Sequence, residues 1–251
     1  MPELPDVVVY CEALDRRYTG QVLERITLKS PFVVRTFEPD LQVAEGRRVE
    51  NFSRLGKRIV WQLEGPLYLV FHLMIAGRFH VKKAGTRPRS KTDLAAFHFA
   101  GETLMLTEAS PKKRASIHVL VDQAELASHD PGGLDVLSCD RTSFAARLTG
   151  ENHTLKRALT DPRLFDGIVN AYSDEILHAS QVSPIRWSRK LTNDEITRLW
   201  LATRTTLDTW IRRLRKQTGD DFPERVTAFR PEMAAHGKFG QPCPVCITPV
   251  A

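Results

Sequence analysis

Apolar and polar residues in the first half of the chain follow the two-residue period of β-strands. Ile59, Trp61 and Leu63 share one face of such a strand, and residues 67–73 form a short apolar run between glycine and proline residues. Because short runs of this kind recur from Val22 to Leu120, the pattern predicts several short strands. Strands at this spacing are typical of a two-layer β-sandwich or a barrel.

Helical spacing replaces strand alternation on both sides of this region. Residues 6–18 are predicted to form a helix that ends at Gly20, since glycine commonly stops helices. Thr192 and Glu195 form a capping box at the start of the last and longest predicted helix. The helices predicted after the turn-forming residues 130–133 cover 144–148, 155–159, 176–179 and 194–214.

The change from strands to helices predicts an α+β chain. We expect residues 1–135 to form a β-sandwich domain with flanking helices and residues 136–234 to form a helical domain. Residues 235–251 are rich in glycine and proline and carry a pair of cysteines, so we treat them as a third, short segment.

The composition is that of a globular protein with a modest excess of positive charge. The 251 residues include 36 Lys and Arg against 30 Asp and Glu, which gives a net charge of +6. This excess suits a polyanionic partner without requiring one. The sequence contains neither a long apolar stretch nor the pattern of a signal peptide, so we expect no membrane partner. Four cysteines at these spacings favour a reducing compartment over a secreted disulfide framework.

The opening Met1-Pro2-Glu3 offers a candidate nucleophile. Removal of Met1 would expose the secondary amine of Pro2 beside the carboxylate of Glu3. The reference pKa of an α-amino group is about 8, against about 10.4 for lysine, so this amine is far more often neutral at pH 7. A neutral amine can attack an electrophilic carbon. The ordinary alternative is a pair of prolines that merely stiffens an exposed terminus.

Five motifs occur in an order that resembles one known family. The first is the opening Pro2-Glu3-Leu4-Pro5, followed by Asp6. The others are Gly56-Lys57-Arg58, Phe71-His72-Leu73, Gly167-Ile168-Val169-Asn170 with Glu175, and Gly240-Gln241-Pro242-Cys243-Pro244-Val245-Cys246. Together they resemble the formamidopyrimidine-DNA glycosylase and endonuclease VIII family, which usually has glutamate in place of Asp6. The resemblance spans nearly the whole chain.

The resemblance implies a DNA glycosylase that is also an abasic-site (AP) lyase, acting on damaged double-stranded DNA in base-excision repair. Pro2 would form an iminium with C1′ of the damaged nucleotide, and Glu3 would move protons during base loss and β/δ-elimination. Lys57 would be the third catalytic residue, in contact with the phosphates of that nucleotide. Without the resemblance, Lys57 would be a solvated turn lysine. We expect a monomer in the cytoplasm, associated with the nucleoid.

Two loops of the strand-rich half are implied to bind DNA. His72, which alone would be an ordinary core histidine, is expected to face DNA, and Met74 or Ile75 to fill the void left by an everted base. Residues 110–116 stand where typical formamidopyrimidine glycosylases carry Pro-Arg-Arg-Phe-Gly, but they lack the wedge phenylalanine. Arg114 is expected to contact phosphates from this loop, although basic residues in a turn are often simply solvated.

The helical half is implied to clamp the DNA backbone. Lys156 and Asn170 match the lysine and asparagine of the family's helix-two-turns-helix element, which hold the phosphates flanking the lesion. The free amides at a helix start favour such an anion. Val169 replaces a glycine that is common in the family, and a β-branched residue resists positive φ. Outside the family, Lys156 would be a surface lysine and Asn170 a helix-flanking asparagine.

Cys243 and Cys246 have the spacing of two ligands to one zinc ion. One pair is half of a structural zinc site, and family members supply a second pair farther along. Three explanations stay open: a shortened chain, a tail outside the given sequence, or a protein without the zinc hairpin. We expect any zinc to be structural and the chemistry to need no cofactor.

The lesion is predicted from the short connection at residues 219–240, which leaves little chain to cover a flipped purine. This favours oxidised pyrimidines or ring-opened purines over 8-oxoguanine, although the Pro-Glu-Leu-Pro opening is of the formamidopyrimidine type. Two alternatives remain: a non-catalytic relative that binds damaged or abasic DNA, and, more distantly, an RNA-binding or structural basic protein.

Overall fold

The structure is a computed structural model that describes residues 1–224 and 226–250. Its residues fall into two compact units. The first unit contains residues 1–2, 6–130 and 215–226, and the second contains residues 3–5, 131–214 and 227–251.

In the described part of the first unit, eight antiparallel strands form two four-stranded sheets. The strands are β1 (Arg25–Leu28), β2 (Val49–Leu55), β3 (Arg58–Leu63), β4 (Leu67–His72), β5 (Gly77–Lys83), β6 (Asp93–His98), β7 (Glu102–Glu108) and β8 (Ser116–Leu120). One sheet has the order β1-β6-β7-β5 and the other β2-β3-β4-β8. Both sheets therefore lie in the region where residue alternation predicts strands.

Aromatic residues from both sheets share one core. Trp61 of β3 is fully buried, and its ring lies 4.6 Å from that of Phe71 in the same sheet. Across the core, the ring centroid of Phe97 in β6 lies 5.0 Å from Trp61, and that of Phe79 in β5 lies 6.0 Å away. Rings at these separations contribute about 0.5–1.5 kcal/mol per pair beyond the area they bury. The inner faces of the two sheets thus pack on each other.

Six α-helices are found among the residues that the structure describes. They are α1 (Leu4–Tyr18), α2 (Gln123–Ser128), α3 (Arg141–Gly150), α4 (Leu155–Thr160), α5 (Asn170–Ser180) and α6 (Asn193–Thr218). The helices predicted from sequence are confirmed, each with one to several more residues at its ends, and the chain is of mixed α+β class. Only α2 was not predicted, because it is short and buries no residue. It begins at Asp122, whose carboxylate accepts from the amide of Glu125.

The capping box that starts α6 is confirmed. The amide of Thr192 donates to the carboxylate of Glu195 over 2.7 Å, and the amide of Glu195 donates to the hydroxyl of Thr192 over 3.2 Å. Each side chain satisfies a backbone donor that the helix leaves free. Among the described residues, no helix combines the length and apolar character needed to cross a membrane.

Candidate active site and nucleic-acid interface

The carboxylate of Glu3 caps the N-terminus of α5. Glu3 is 2% exposed and accepts hydrogen bonds from the amides of Val169 (2.9 Å), Ala171 (2.8 Å) and Tyr172 (3.2 Å). These are the amides that an α-helix leaves without an internal partner, and the positive end of the helix dipole also favours an anion there. The arrangement stabilises Glu3 as a carboxylate in one fixed orientation.

The backbone beside Glu3 is locked to the turn that precedes α5. The amide of Leu4 donates to the carbonyl of Gly167 over 2.8 Å. Gly167 has φ +74°, and a Cβ placed on it would lie 2.6 Å from the Cβ of Leu4. Only glycine fits both the left-handed backbone and this close approach. The departure at Val169 is accommodated, because its φ is −135° and so needs no positive value.

Pro2 directly precedes Glu3 and is itself buried. Met1 precedes it in the described chain and is half-buried. The nitrogen of Pro2 is therefore an amide as long as Met1 remains, and it becomes a secondary amine only when Met1 is removed.

Lys156 and Asn170 come together in the second unit, as the sequence predicts for a phosphate clamp. The ammonium of Lys156 donates to the backbone carbonyl of Asn170 over 2.9 Å and also bonds the carboxylate of Asp174. The second carboxylate oxygen of Asp174 lies 2.7 Å from Nδ1 of His236. Sequence reasoning missed Asp174 and His236, since nothing in their local pattern connects them to Lys156.

Glu175, a motif residue to which no role was given, fixes the segment that follows α6. Its carboxylate is 7% exposed and accepts from the amides of Ala234 (2.8 Å), Ala235 (2.8 Å) and His236 (3.0 Å). A carboxylate with three amide donors on one short segment holds that segment in a single conformation. The ring of His236 also stacks on Phe229, with centroids 5.3 Å apart.

Lys57 lies in the two-residue connection between β2 and β3. Gly56 has φ +64°, which confirms the tight turn that its sequence predicts. Lys57 is half-buried and makes interactions of its own. The neighbouring Arg58 begins β3 and pairs across the sheet with His72.

His72 is held as a neutral imidazole. Its Nδ1 accepts a hydrogen bond from the amide of Met74 over 3.0 Å, so the ring proton is assigned to Nε2. Burial, followed by the positive charges of Arg58 and Lys57 and by the neighbouring His118, lowers the pKa of His72 to about 4. At neutral pH this ring can therefore donate one hydrogen bond from Nε2 but carries no charge.

A second histidine on the same sheet behaves in the same way. Burial, followed by His129, Arg58 and Arg35, lowers the pKa of His118 to about 4. The rings of His118 and His129 lie edge to face, with centroids 4.8 Å apart. Positive charge is thus concentrated at this edge of the second sheet without charging its imidazoles.

Met74 and Ile75 project from the loop after β4. Met74 has φ +51°, an uncommon value for a residue with a side chain, and Ile75 is 63% exposed. Backbone outliers of this kind concentrate at functional sites. The loop therefore combines an exposed isoleucine with a methionine in an uncommon backbone conformation.

Arg114 is exposed on the loop between β7 and β8. Glu108 anchors this loop: it is 1% exposed and accepts from the amide of Ala115 over 2.9 Å, while Lys113 bonds its backbone carbonyl. Lys113 has φ +43°. The loop is therefore fixed at both ends and presents Arg114 outward.

Cys243 and Cys246 lie in a short hairpin in which Pro242 bridges Pro249. Cys243 is buried and Cys246 exposed. Amides of Cys246 and Val245 lower the pKa of the Cys243 thiol, and Nε2 of His178 lies 3.2 Å from its sulfur. Within residues 1–224 and 226–250, no three histidine, cysteine or acidic side chains are grouped so as to hold a metal ion. The donor set present does not fit a closed tetrahedral zinc site.

Comparison with known proteins gives the same family over the whole chain. The family model for the formamidopyrimidine-DNA glycosylase N-terminal domain matches residues 1–131, and that for the formamidopyrimidine-DNA glycosylase H2TH domain matches residues 133–220. Formamidopyrimidine-DNA glycosylase of Thermus thermophilus is 31% identical over 100% of this chain and 92% of its own length. The Moorella thermoacetica protein of the same name is 29% identical over 100% and 93%.

Solved structures share the fold. Lactococcus lactis Fpg in complex with abasic-site DNA is similar with a TM-score of 0.87 and 23% identity, covering 98% of this chain and 92% of that one. The same bacterial protein in complex with DNA that contains an oxidised pyrimidine gives a TM-score of 0.86 at 23% identity, covering 99% and 92%.

Proposed function

The chain belongs to the formamidopyrimidine-DNA glycosylase family, and we propose from this membership that it is a base-excision-repair DNA glycosylase with AP lyase activity on damaged double-stranded DNA. The observation that carries the proposal is the N-terminus itself. Pro2 is followed by a buried carboxylate that three amides at the start of α5 hold in place. A terminus that only stiffened the chain would need no such fixed acid.

The chemistry begins when the neutral amine of Pro2 attacks C1′ of the damaged nucleotide. The N-glycosidic bond breaks and the base leaves with a proton, while the attacking amine gives its own proton to Glu3. The C1′–O4′ bond then breaks as O4′ takes that proton from Glu3, and the Pro2 nitrogen and C1′ form an iminium. The iminium acidifies the C2′ proton, so a base removes it and the 3′ phosphate departs by β-elimination. A second elimination expels the 5′ phosphate, and hydrolysis of the iminium regenerates Pro2.

Glu3 serves these steps by moving protons. Glu3 first accepts a proton on its carboxylate and then returns one to the opening sugar. Because the hydrogen bonds from the three amides fix its orientation, Glu3 needs no rearrangement between the two steps.

The remaining candidate residues hold DNA. Lys57 contacts the phosphates of the damaged nucleotide, His72 donates from its neutral Nε2, and Lys156 and Asn170 clamp the flanking phosphates. Met74 or Ile75 fills the space of the everted base. Arg114 contacts backbone phosphates from a loop that has no phenylalanine wedge.

Cys243 and Cys246 are the candidate ligands of a structural zinc ion in the segment 235–251. Two thiolates would supply half of the ligands of a tetrahedral zinc ion.

The chain is proposed to divide into a catalytic segment 1–135, a helical segment 136–234 and the hairpin segment 235–251.

The substrate class that we propose is an oxidised pyrimidine or a ring-opened purine, in preference to 8-oxoguanine. The support is the short connection after α6, of which Ala234, Ala235 and His236 are fixed to Glu175 and so cannot form a mobile cover. We expect faster single-turnover excision of 5-hydroxyuracil or thymine glycol than of 8-oxoguanine. The reverse ranking would remove the argument from the short connection.

The test of the chemistry is borohydride trapping on a duplex with one abasic site, using protein whose mass shows that Met1 is absent. Reduction turns the iminium into a stable adduct, which should map to Pro2. The adduct should disappear in Pro2→Gly protein whose N-terminal amine has been blocked by acetylation. Glu3→Gln should slow the adduct's formation. If unblocked protein lacking Met1 gives no adduct but still binds abasic DNA, the non-catalytic alternative is correct.

A further inference from the structure

An exposed apolar and basic surface follows α5 in the second unit. Ile185 is 76% exposed and Trp187 is 51% exposed, and Arg186 lies between them. With Ser183 and Lys190 these residues line a shallow groove of about 530 Å³. We call residues 183–190 the post-α5 surface. Large apolar side chains grouped in the open commonly mark an interaction site.

The post-α5 surface is built on fixed backbone. The amide of Leu155 donates to the carbonyl of Arg186 over 2.9 Å, and the amide of Lys156 donates to the carbonyl of Pro184 over 3.0 Å. Ser188 is fully buried, and its hydroxyl donates to the carbonyl of Glu151 over 2.8 Å. The exposed side chains are therefore presented by a preformed turn, which lowers the entropy lost when they bind.

These hydrogen bonds also determine what lies beside the surface. Lys156, whose ammonium we assign to a phosphate, is the second residue of α4, and the first turn of that helix is bonded through backbone to Pro184 and Arg186. The post-α5 surface therefore adjoins the backbone of Lys156.

The charge of the surface suits a polyanion. Arg186, Arg189 and Lys190 all belong to it, and the carboxylate of Glu195 lies 3.4 Å from Arg186. Arg189 donates to the backbone carbonyl of Thr149, and Arg186 donates to that of Lys190 over 3.1 Å. Arg186 and Lys190 both line the groove. Cations beside an aromatic ring are the usual means of following a nucleic-acid backbone.

We propose that the post-α5 surface binds the DNA flank beyond the phosphates held by Lys156 and Asn170. Lys190 and Arg186 contact backbone phosphates there, and Trp187 and Ile185 pack against the sugar edges and bases. The inference rests on the proposed function, because the Lys156 clamp places the DNA. The proposed contact lies beyond the end of a duplex that stops close to the lesion, so only a longer duplex reaches the post-α5 surface.

Tryptophan fluorescence tests this directly. Trp61 and Trp210 are buried, and the indole nitrogen of Trp200 is buried as well, so acrylamide quenching reports mainly on Trp187. Two duplexes with a central tetrahydrofuran abasic analogue are compared, one of about 21 base pairs and one of about 10, roughly two turns and one turn. At saturation, the long duplex should shield Trp187 from acrylamide and the short one should not.

Variants supply the energetic test. Trp187→Ala should weaken binding of the long duplex about ten-fold and leave the short duplex nearly unchanged. Lys190→Gln should lower the salt-dependence slope on the long duplex by about 0.9. The matched controls are Leu201→Ser, an apolar side chain 50% exposed on α6, and Lys216→Gln, an exposed cation in the last turn of that helix. Neither control should alter binding.

Unchanged quenching on the saturated long duplex overturns the inference, as does a loss of affinity that is equal on both duplexes. Borohydride trapping on the short duplex keeps this result separate from the proposed chemistry. If the short duplex is trapped but the long duplex does not shield Trp187, only the flank contact is rejected. If the long duplex shields Trp187 but no covalent adduct forms, only the catalytic function is rejected.

Discussion

At Gly167, the turn before α5 is in close contact with Leu4 near the N-terminus. Its positive φ and its contact with Leu4 leave no room for a Cβ. Leu4 in turn follows the two residues proposed to perform the chemistry. A defect at this glycine therefore acts on catalysis through the backbone, without touching a reacting group.

We predict that Gly167→Ala lowers the unfolding free energy by about 2–5 kcal/mol, from left-handed strain together with overpacking. Urea denaturation measures the loss, and borohydride trapping of folded variant should be slower. Gly150→Ala is the control in the same unit, since a Cβ there meets nothing within 4 Å. If both variants lose the same stability, the close approach of Leu4 is not the cause.

His72 and His118 make stability depend on pH. Their folded pKa values of about 4 lie below the unfolded value of about 6.5, so between these values the unfolded state binds more protons. Stability from this source is complete above pH 6.5 and falls as pH drops towards 4. We expect the urea midpoint to fall from pH 7 to pH 4.5, and to fall less in His72→Gln, His118→Gln protein. An equal slope in both proteins would exclude these histidines as the cause.

At the scale of elements, α5 binds two segments that lie far apart in the sequence, one at its start and one at its second turn. Glu3 accepts from the amides at its start, whereas Glu175, one turn further along, accepts from three amides of the segment after α6. The two carboxylates thus fix the N-terminal residues and the post-helix segment to one helix of the second unit.

We predict that Glu175→Gln releases the segment at residues 234–236, because an amide side chain keeps only one acceptor oxygen and carries no charge. An unsatisfied buried amide costs about 1–3 kcal/mol. Hydrogen exchange at Ala234, Ala235 and His236 should accelerate, with Glu232→Gln, an exposed neighbour, as the control. Unchanged exchange at the three amides would show that other contacts hold the segment.

On the scale of the whole molecule, the net charge of +6 attracts DNA mainly where cationic side chains are available to phosphates. Several arginines are occupied by structural carbonyls, as Arg147 is with those of Gly132 and Arg163. Lys156 differs in position, because its ammonium lies against the carbonyl of Asn170, the first residue of α5, and a helix start favours anions.

We predict that Lys156→Gln weakens binding to damaged and intact duplexes by a similar factor and lowers the salt-dependence slope by about 0.9. Fluorescence anisotropy at several salt concentrations measures both effects. Lys216→Gln should change neither. A loss confined to damaged DNA would assign Lys156 to lesion recognition rather than to the backbone.

Sequence by itself determined the order of the motifs, the α+β class, most helices and the capping box, because these depend on spacing within a few residues. It also identified Lys156 and Asn170, which the structure brings together. Only the tertiary structure decided that Glu3 caps α5, that Glu175 holds the post-α6 segment and that Asp174 joins Lys156 to His236. Hydrogen bonds between residues far apart in the chain leave no periodic pattern, so only the folded backbone reveals them.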